Sequence, residues 1–284
     1  MATKLKPTDR KIKDRSLSGF NVMELMAVLA TLAILFCLVL PVMAKARMKS
    51  TGSGCLNNFR QMMIGWAAFA VENNDTMVPN GPVSAVSTNA WVSGLYAEDW
   101  YSASANTNRS NYLTALFAPY IGNRIELYRC PGDVIPSANG FRLRSCSMNG
   151  NMGALYYTGT LQDGAYNSGW RVYTKVSDLT CPTPGSAFIF ADESMYTIND
   201  GFMQMGLSSA VFPDCPASYH NGSGSFAFAD GHAELHHWVE AGTSFIGVRN
   251  APYRYGVTGN NWPGVGINDR DWTWLKNRTS CKAN

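Results

Sequence analysis

Residues 25–44, LMAVLATLAILFCLVLPVMA, carry no charged side chain, and Thr31 is their only hydroxyl. A helix of that length spans roughly 30 Å at ~1.5 Å per residue, the thickness of a bilayer's hydrocarbon core. The pattern then changes from uniformly apolar to periodic. Leu56, Phe59, Met63, Trp66 and Ala70 recur at spacings of three and four, while Asn57, Asn58, Arg60, Gln61 and Glu72 take the other faces. Such a stripe needs a partner surface to bury it. Together the two patterns predict one helix over residues 20–72. It is kinked or frayed at Gly52-Ser53-Gly54, because each glycine costs about 1 kcal/mol against alanine.

Residues 73–90 have the composition of a loop, and short apolar runs between turn formers follow. They predict strands over 170–176, 187–190, 225–229 and 232–238. The clearest unit is SFAFADGHAELHHW at 225–238. Asp230-Gly231 is a two-residue hairpin signal, since a type I′ turn needs positive φ at both positions. That turn pairs Ala229 with His232, Phe228 with Ala233, Ala227 with Glu234 and Phe226 with Leu235. Phe226, Phe228, Ala233 and Leu235 then share the core face. The fold expected is α+β: a long N-terminal helix whose outer half packs on a C-terminal antiparallel sheet.

Charge refines this picture. Six of the 23 basic and two of the 20 acidic residues lie in 1–19, leaving 17 against 18 in the remainder. The body has no excess of positive charge and no recognised module to grip nucleic acid, so no nucleic-acid partner is expected. The basic leader, with Lys45, Arg47 and Lys49 just after the apolar run, favours a cytoplasmic N-terminus and an extracytoplasmic body. Of seven cysteines, six lie beyond the apolar run. They form no C-x-x-C pair, the usual mark of structural zinc. Disulfides become available if the body is exported, and the pairing stays open. No P-loop, dinucleotide fingerprint or nucleophile elbow occurs, so no enzyme is expected.

Glu24 breaks the apolar pattern. A carboxylate at the membrane's edge costs on the order of a few kcal/mol without a partner. Cleavage between Gly19 and Phe20 would create one, a new α-amino group that pairs with the carboxylate of the next subunit in a helical assembly and fixes register. Leu17-Ser18-Gly19-Phe20-Asn21-Val22-Met23-Glu24-Leu25 resembles a prepilin signal, and Pro41 falls where that family often bends its helix. Asn21 and Met23 depart from its commoner residues. The resemblance implies removal of a leader, 1–19, by a prepilin peptidase and N-methylation of Phe20. Residues 20–44 would be the transmembrane and assembly helix in the inner membrane, 45–75 its outer half, and 76–284 an extracytoplasmic β-rich, pilin-like domain. An ordinary secretory signal fits less well, because the apolar run exceeds the usual ~7–15 residues and Glu24, directly before it, is out of place there.

A second resemblance covers the body as far as about 238. His220, nine residues, then Asp230-Gly231 is similar to the pilin-like family named for that His-x9-Asp-Gly motif. Cys55–Gln61, Cys130-Pro131-Gly132-Asp133, Ser145–Asn149 and Phe190–Ser194 resemble its other segments in order, with Cys146 replacing a usual aromatic. The implied function is a structural subunit of a type II secretion pseudopilus or type IV pilus-like filament. Its implied partners are its own copies, other pseudopilins, the prepilin peptidase, a cytoplasmic ATPase and a platform protein. Alternatives are an adhesive or ligand-binding minor pilin, suggested by Trp262, Trp272 and Trp274 in the otherwise unassigned tail 239–284, and a membrane-tethered metal-dependent enzyme.

No cofactor is expected. All four histidines fall in 220–237, but His232 and His236 would sit roughly 13 Å apart on one strand at 3.3 Å per residue, too far to share an ion. Asp192 and Asp230, each after a Phe-Ala pair, are candidates for calcium, as in loops of some pseudopilins. The plainer role is a strand-end cap for Asp192 and a turn residue for Asp230.

Overall fold

The computed structural model describes residues 19, 21–80, 88–93, 103–153, 155–157, 160–162, 167–240 and 266–283. It has two compact units, Met1–Ala46 and Arg47–Asn284. The first helix, α1 (Val22–Glu72), contributes to both. In the first unit, Val22–Leu40 has mean hydropathy 2.6 and no buried residue, and is long and apolar enough to cross a membrane. Its start is closed by a reciprocal capping box. The Asn21 amide donates to Glu24 Oε2 at 3.0 Å, and the Met23 amide donates to Asn21 Oδ1 at 3.2 Å. These bonds satisfy donors that a helix N-terminus otherwise leaves open.

In the second unit α1 buries Cys55, Phe59, Met63, Trp66 and Ala70, while Leu56 is half-buried. Gly52-Ser53-Gly54 is helical, so the helix does not fray there. The glycines serve packing. A Cβ on Gly52 would meet Leu235 at 3.0 Å, and one on Gly54 would meet Pro131 at 3.3 Å.

The stripe is buried on a five-stranded sheet. Its strands are β1 (Cys146–Asn149), β4 (Phe188–Asp192), β5 (Phe202–Met203), β6 (Ser223–Phe228) and β7 (Ala233–His237), in the order β5-β1-β4-β6-β7. The sheet is mixed, not antiparallel throughout, because β5 runs parallel to β1. A separate hairpin joins β2 (Leu155–Tyr157) and β3 (Thr160–Gln162). The expected strand over 170–176 is absent; Trp170 and Tyr173 make only isolated bridges.

Both faces of the sheet are covered. One core holds Phe59, Met63, Trp66, Ile189, Phe190, Ala227 and Ala233. The other holds Phe188, Ala191, Phe226, Phe228 and Trp238 with Trp272 and Leu275. The last two belong to α2 (Arg270–Thr279), whose N-cap Asp269 accepts from the Trp272 amide at 2.7 Å. The segment 239–284 is therefore partly core. A disulfide, Cys181–Cys281, closes a loop of sequence separation 100. Cross-links over such loops stabilise by roughly 4–5 kcal/mol, mainly through the unfolded chain.

The β6–β7 hairpin differs from its expected register by one residue. Ala227 pairs with Ala233, Phe226 with Glu234 and Ser225 with Leu235. The Gly231 amide bonds to Phe228 O and the Phe228 amide to His232 O, so the loop is Ala229-Asp230-Gly231. Only Gly231 has positive φ, +92°, as in a three-residue loop ending in a left-handed glycine. The shift turns Leu235 to the Ala227 face, where it is 40% exposed, and leaves Glu234 opposite Phe226.

Gly65 gives a test of this packing. A Cβ there would lie 2.8 Å from the Tyr120 carbonyl oxygen and 2.8 Å from Ile121. Gly65→Ala gains about 1 kcal/mol of helix propensity. We expect it nevertheless to lower stability by roughly 1–3 kcal/mol, because a backbone carbonyl must move. Urea unfolding of the two proteins in the same detergent measures this; a more stable variant would contradict the packing.

Candidate functional sites

The first candidate is the apolar stretch of α1 with Glu24. Gly19 is exposed, with open space around it, while Phe20 lies outside the described residues. Glu24 is at the third helical position and already has a local duty in the capping box. Any role in assembly has to be separated from that one.

The second candidate lies inside the body. Cys55, Cys130, Asp192 and His220 are all buried, and their ligand atoms lie within 4.8 Å of one another. Cys55 comes from α1, Cys130 opens the Cys130-Pro131-Gly132-Asp133 turn, Asp192 ends β4, and His220 precedes β6. Cys55 Sγ donates to Asp192 Oδ2 at 3.1 Å. Cys130 Sγ is 3.1 Å from His220 Nε2, which is 3.8 Å from Asp192 Oδ2.

Local structure aims each group. Between the Phe188–Phe228 and Phe190–Ala227 pairs β4 advances by two residues and β6 by one, so β4 carries a bulge at Ile189. The bulge shifts the alternation of faces and turns Asp192 towards Cys55. In the Cys130 turn, the Asp133 amide bonds to Cys130 O, and the Gly132 amide donates to Cys130 Sγ at 3.2 Å. Asn221 and Gly222, both at positive φ (54° and 79°), reverse the chain between His220 and β6. A Cβ on Gly132 would strike the His220 ring at 2.8 Å.

Burial dominates the electrostatics. It raises the Cys55 thiol well above its ordinary pKa and Cys130 to about 11. It also raises Asp192 to about 7 and lowers His220 to about 4. Asp192 Oδ1 has no hydrogen-bond partner. Ser225 Oγ lies close enough to affect Cys55 and Asp192, yet makes no hydrogen bond of adequate geometry.

The remaining sequence candidates separate. Asp230 belongs to the hairpin turn, where it accepts from the His232 amide at 3.1 Å and lies 2.6 Å from His232 Nδ1. It is at the opposite end of β4 from Asp192, beside Gly185 and Ala187, so the two do not share a calcium site. His236 stacks on Trp274 with ring centroids 3.6 Å apart, and His237 Nδ1 is 3.2 Å from Ser223 Oγ. Of the tail tryptophans, Trp272 is buried, Trp274 is half-buried, and Trp262 lies outside the described residues. Cys55 and Cys130 were missed as site residues because they lie 75 positions apart. The readable signals were Cys-Pro-Gly-Asp, a turn able to present a thiol, and Asn221-Gly222, a reversal directly after a histidine.

A third polar group lies on the other side of the sheet. Glu193 accepts from Ser147 and from Thr197 Oγ1, near Arg144, Asp200 and Asp214. Burial raises the Glu193 pKa against the opposing charge of Arg144, and burial with neighbouring carboxylates raises Asp214. No family model, curated protein or solved structure matches the chain.

The Glu193 shift has a sign that can be measured. A carboxyl with a raised folded pKa favours folding while protonated. That contribution is complete below the ordinary glutamate range and is lost as pH rises through the raised value. Stability is therefore expected to fall from acid to mildly alkaline pH. Glu193→Gln, which keeps an acceptor and removes the ionisation, flattens the fall. Melting temperatures across that range test this; an equally steep fall in the variant places the titration elsewhere.

Proposed function

We propose that this chain is a membrane-anchored structural subunit of a type II secretion pseudopilus or type IV pilus-like filament. The observation that carries the reading is the wholly uncovered apolar helix Val22–Leu40 with one carboxylate, Glu24, near its start. An apolar surface of that length is compatible with lipid before assembly and with bundled copies of the same helix afterwards. On this reading a prepilin peptidase cuts after Gly19, Phe20 becomes the methylated N-terminus, and its amine meets Glu24 of a neighbouring subunit. A cytoplasmic ATPase and a platform protein drive assembly from the inner membrane, with the body outside. The Cys181–Cys281 disulfide suits an oxidising compartment. Trp272 is buried and Trp274 half-buried in the second core, which leaves less aromatic surface for adhesion, so the structural role is preferred. No catalytic step is assigned.

Two glutamate variants separate assembly from helix capping. Gln retains the acceptor of a capping box, whereas Ala loses it at about 0.5–1 kcal/mol. If charge pairing guides assembly, Glu24→Gln and Glu24→Ala both reduce assembled filament by about tenfold or more. Mass spectrometry of the same samples should find every chain beginning at methylated Phe20. A Gln variant that assembles like the parent would leave Glu24 with capping alone. A mature chain beginning elsewhere would remove the processing step.

A further inference from the structure

The geometry points to a structural zinc site formed by Cys55, Cys130, Asp192 and His220, which we propose fastens α1 to the sheet. The inference does not rest on the filament reading, since the same body on a different anchor would carry the same four donors.

The donor set fits zinc. Tetrahedral zinc, with Zn–S about 2.3 Å and Zn–N or Zn–O about 2.0 Å, spaces its ligand atoms roughly 3.3–3.8 Å apart. The separations of 3.1, 3.1 and 3.8 Å, and the 4.8 Å bound on every pair, differ from that geometry by at most about 1.5 Å, less than about 1 Å for each atom of a pair. Two thiolates, a carboxylate and a neutral imidazole around Zn²⁺ total one negative charge, as in a Cys₃His site. The soft thiolates disfavour magnesium and calcium. With four protein donors no position remains for substrate, so the site is structural.

The surroundings support the donors. Thr51 Oγ1 lies 3.5 Å from His220 Nδ1, which leaves Nε2 facing Cys130 and Asp192. The Gly132 amide stabilises charge on the Cys130 sulfur. Gly52 and Gly132 keep space beside the ring. Asp192 Oδ1 is buried without a hydrogen bond, and its neighbour Ser225 Oγ is likewise unpaired, so this oxygen is free to face a metal. Beside a metal, a carboxylate can use one oxygen or both.

Such an ion would join four segments scattered from residue 55 to residue 220. Because the donors meet only in the folded body, its binding energy would become folding energy. The competing fate of two close thiols in an oxidising compartment is a Cys55–Cys130 disulfide, and the test includes it.

The experiment uses the full chain purified in detergent, incubated with zinc under reducing conditions and freed of excess metal. Elemental analysis should find about one zinc per chain. Cobalt in place of zinc should give thiolate-to-metal charge-transfer absorption. Strong chelation should lower the melting temperature by roughly 5 °C or more. Cys130→Ser and Asp192→Asn should lose the ion, whereas Cys215→Ser, a buried cysteine outside the cluster, should keep it. The parent chain decides the matter even if a ligand variant fails to fold. A parent that binds neither zinc nor cobalt, or whose non-reduced peptide map joins Cys55 to Cys130, overturns the proposal. So does zinc retained by both ligand variants.

Discussion

The apolar side chains of α1 have to leave water, and the helix meets that demand in two ways. Over residues 55–70 the demand is met within the chain. Phe59, Met63 and Trp66 enter a core shared with Ile189, Phe190 and Ala227. At about 25 cal/mol per Å², buried side chains of this size each contribute roughly 1.5–3 kcal/mol. Over Val22–Leu40 no described residue meets it, since none of that segment is buried. The body is thus explained by its own packing, while the apolar segment is long enough to cross a membrane and is left uncovered by the described residues.

Polar groups inside the body follow from the same packing. A sheet covered on both faces has few wet positions for a charged side chain, so its carboxylates must find donors or take up protons. Asp133 shows the first solution, in a buried pair with Arg142 at 3.2 Å, although burial still raises its pKa. Glu193 and Asp214 lean towards the second, with burial raising both. Asp192 is different, because two thiols and an imidazole surround it and one of its oxygens has no partner.

The sequence made the local features legible. The apolar run, the stripe from Phe59 to Ala70 and the existence of the hairpin all depend on spacing over a few residues. The hairpin's register did not follow, because Asp-Gly serves both a two-residue turn and the end of a three-residue loop. One residue of difference moves Leu235 to the other face. The β4 bulge left no mark in Phe-Ile-Phe-Ala-Asp, although it decides which way Asp192 faces. Nor did the parallel edge strand, only Phe202–Met203. The Cys-Asp-His cluster depends on contacts between residues far apart in the chain. Its members belong to separate segments, and only the fold places their side chains together.

The central claim is that a membrane keeps Val22–Leu40 from water. Alkaline carbonate extraction of membranes from cells that make the full chain but lack any assembly machinery measures this directly. The chain should remain in the membrane pellet and be released only by detergent. Release into the carbonate supernatant would mean that something other than lipid covers the helix, and the account would fail.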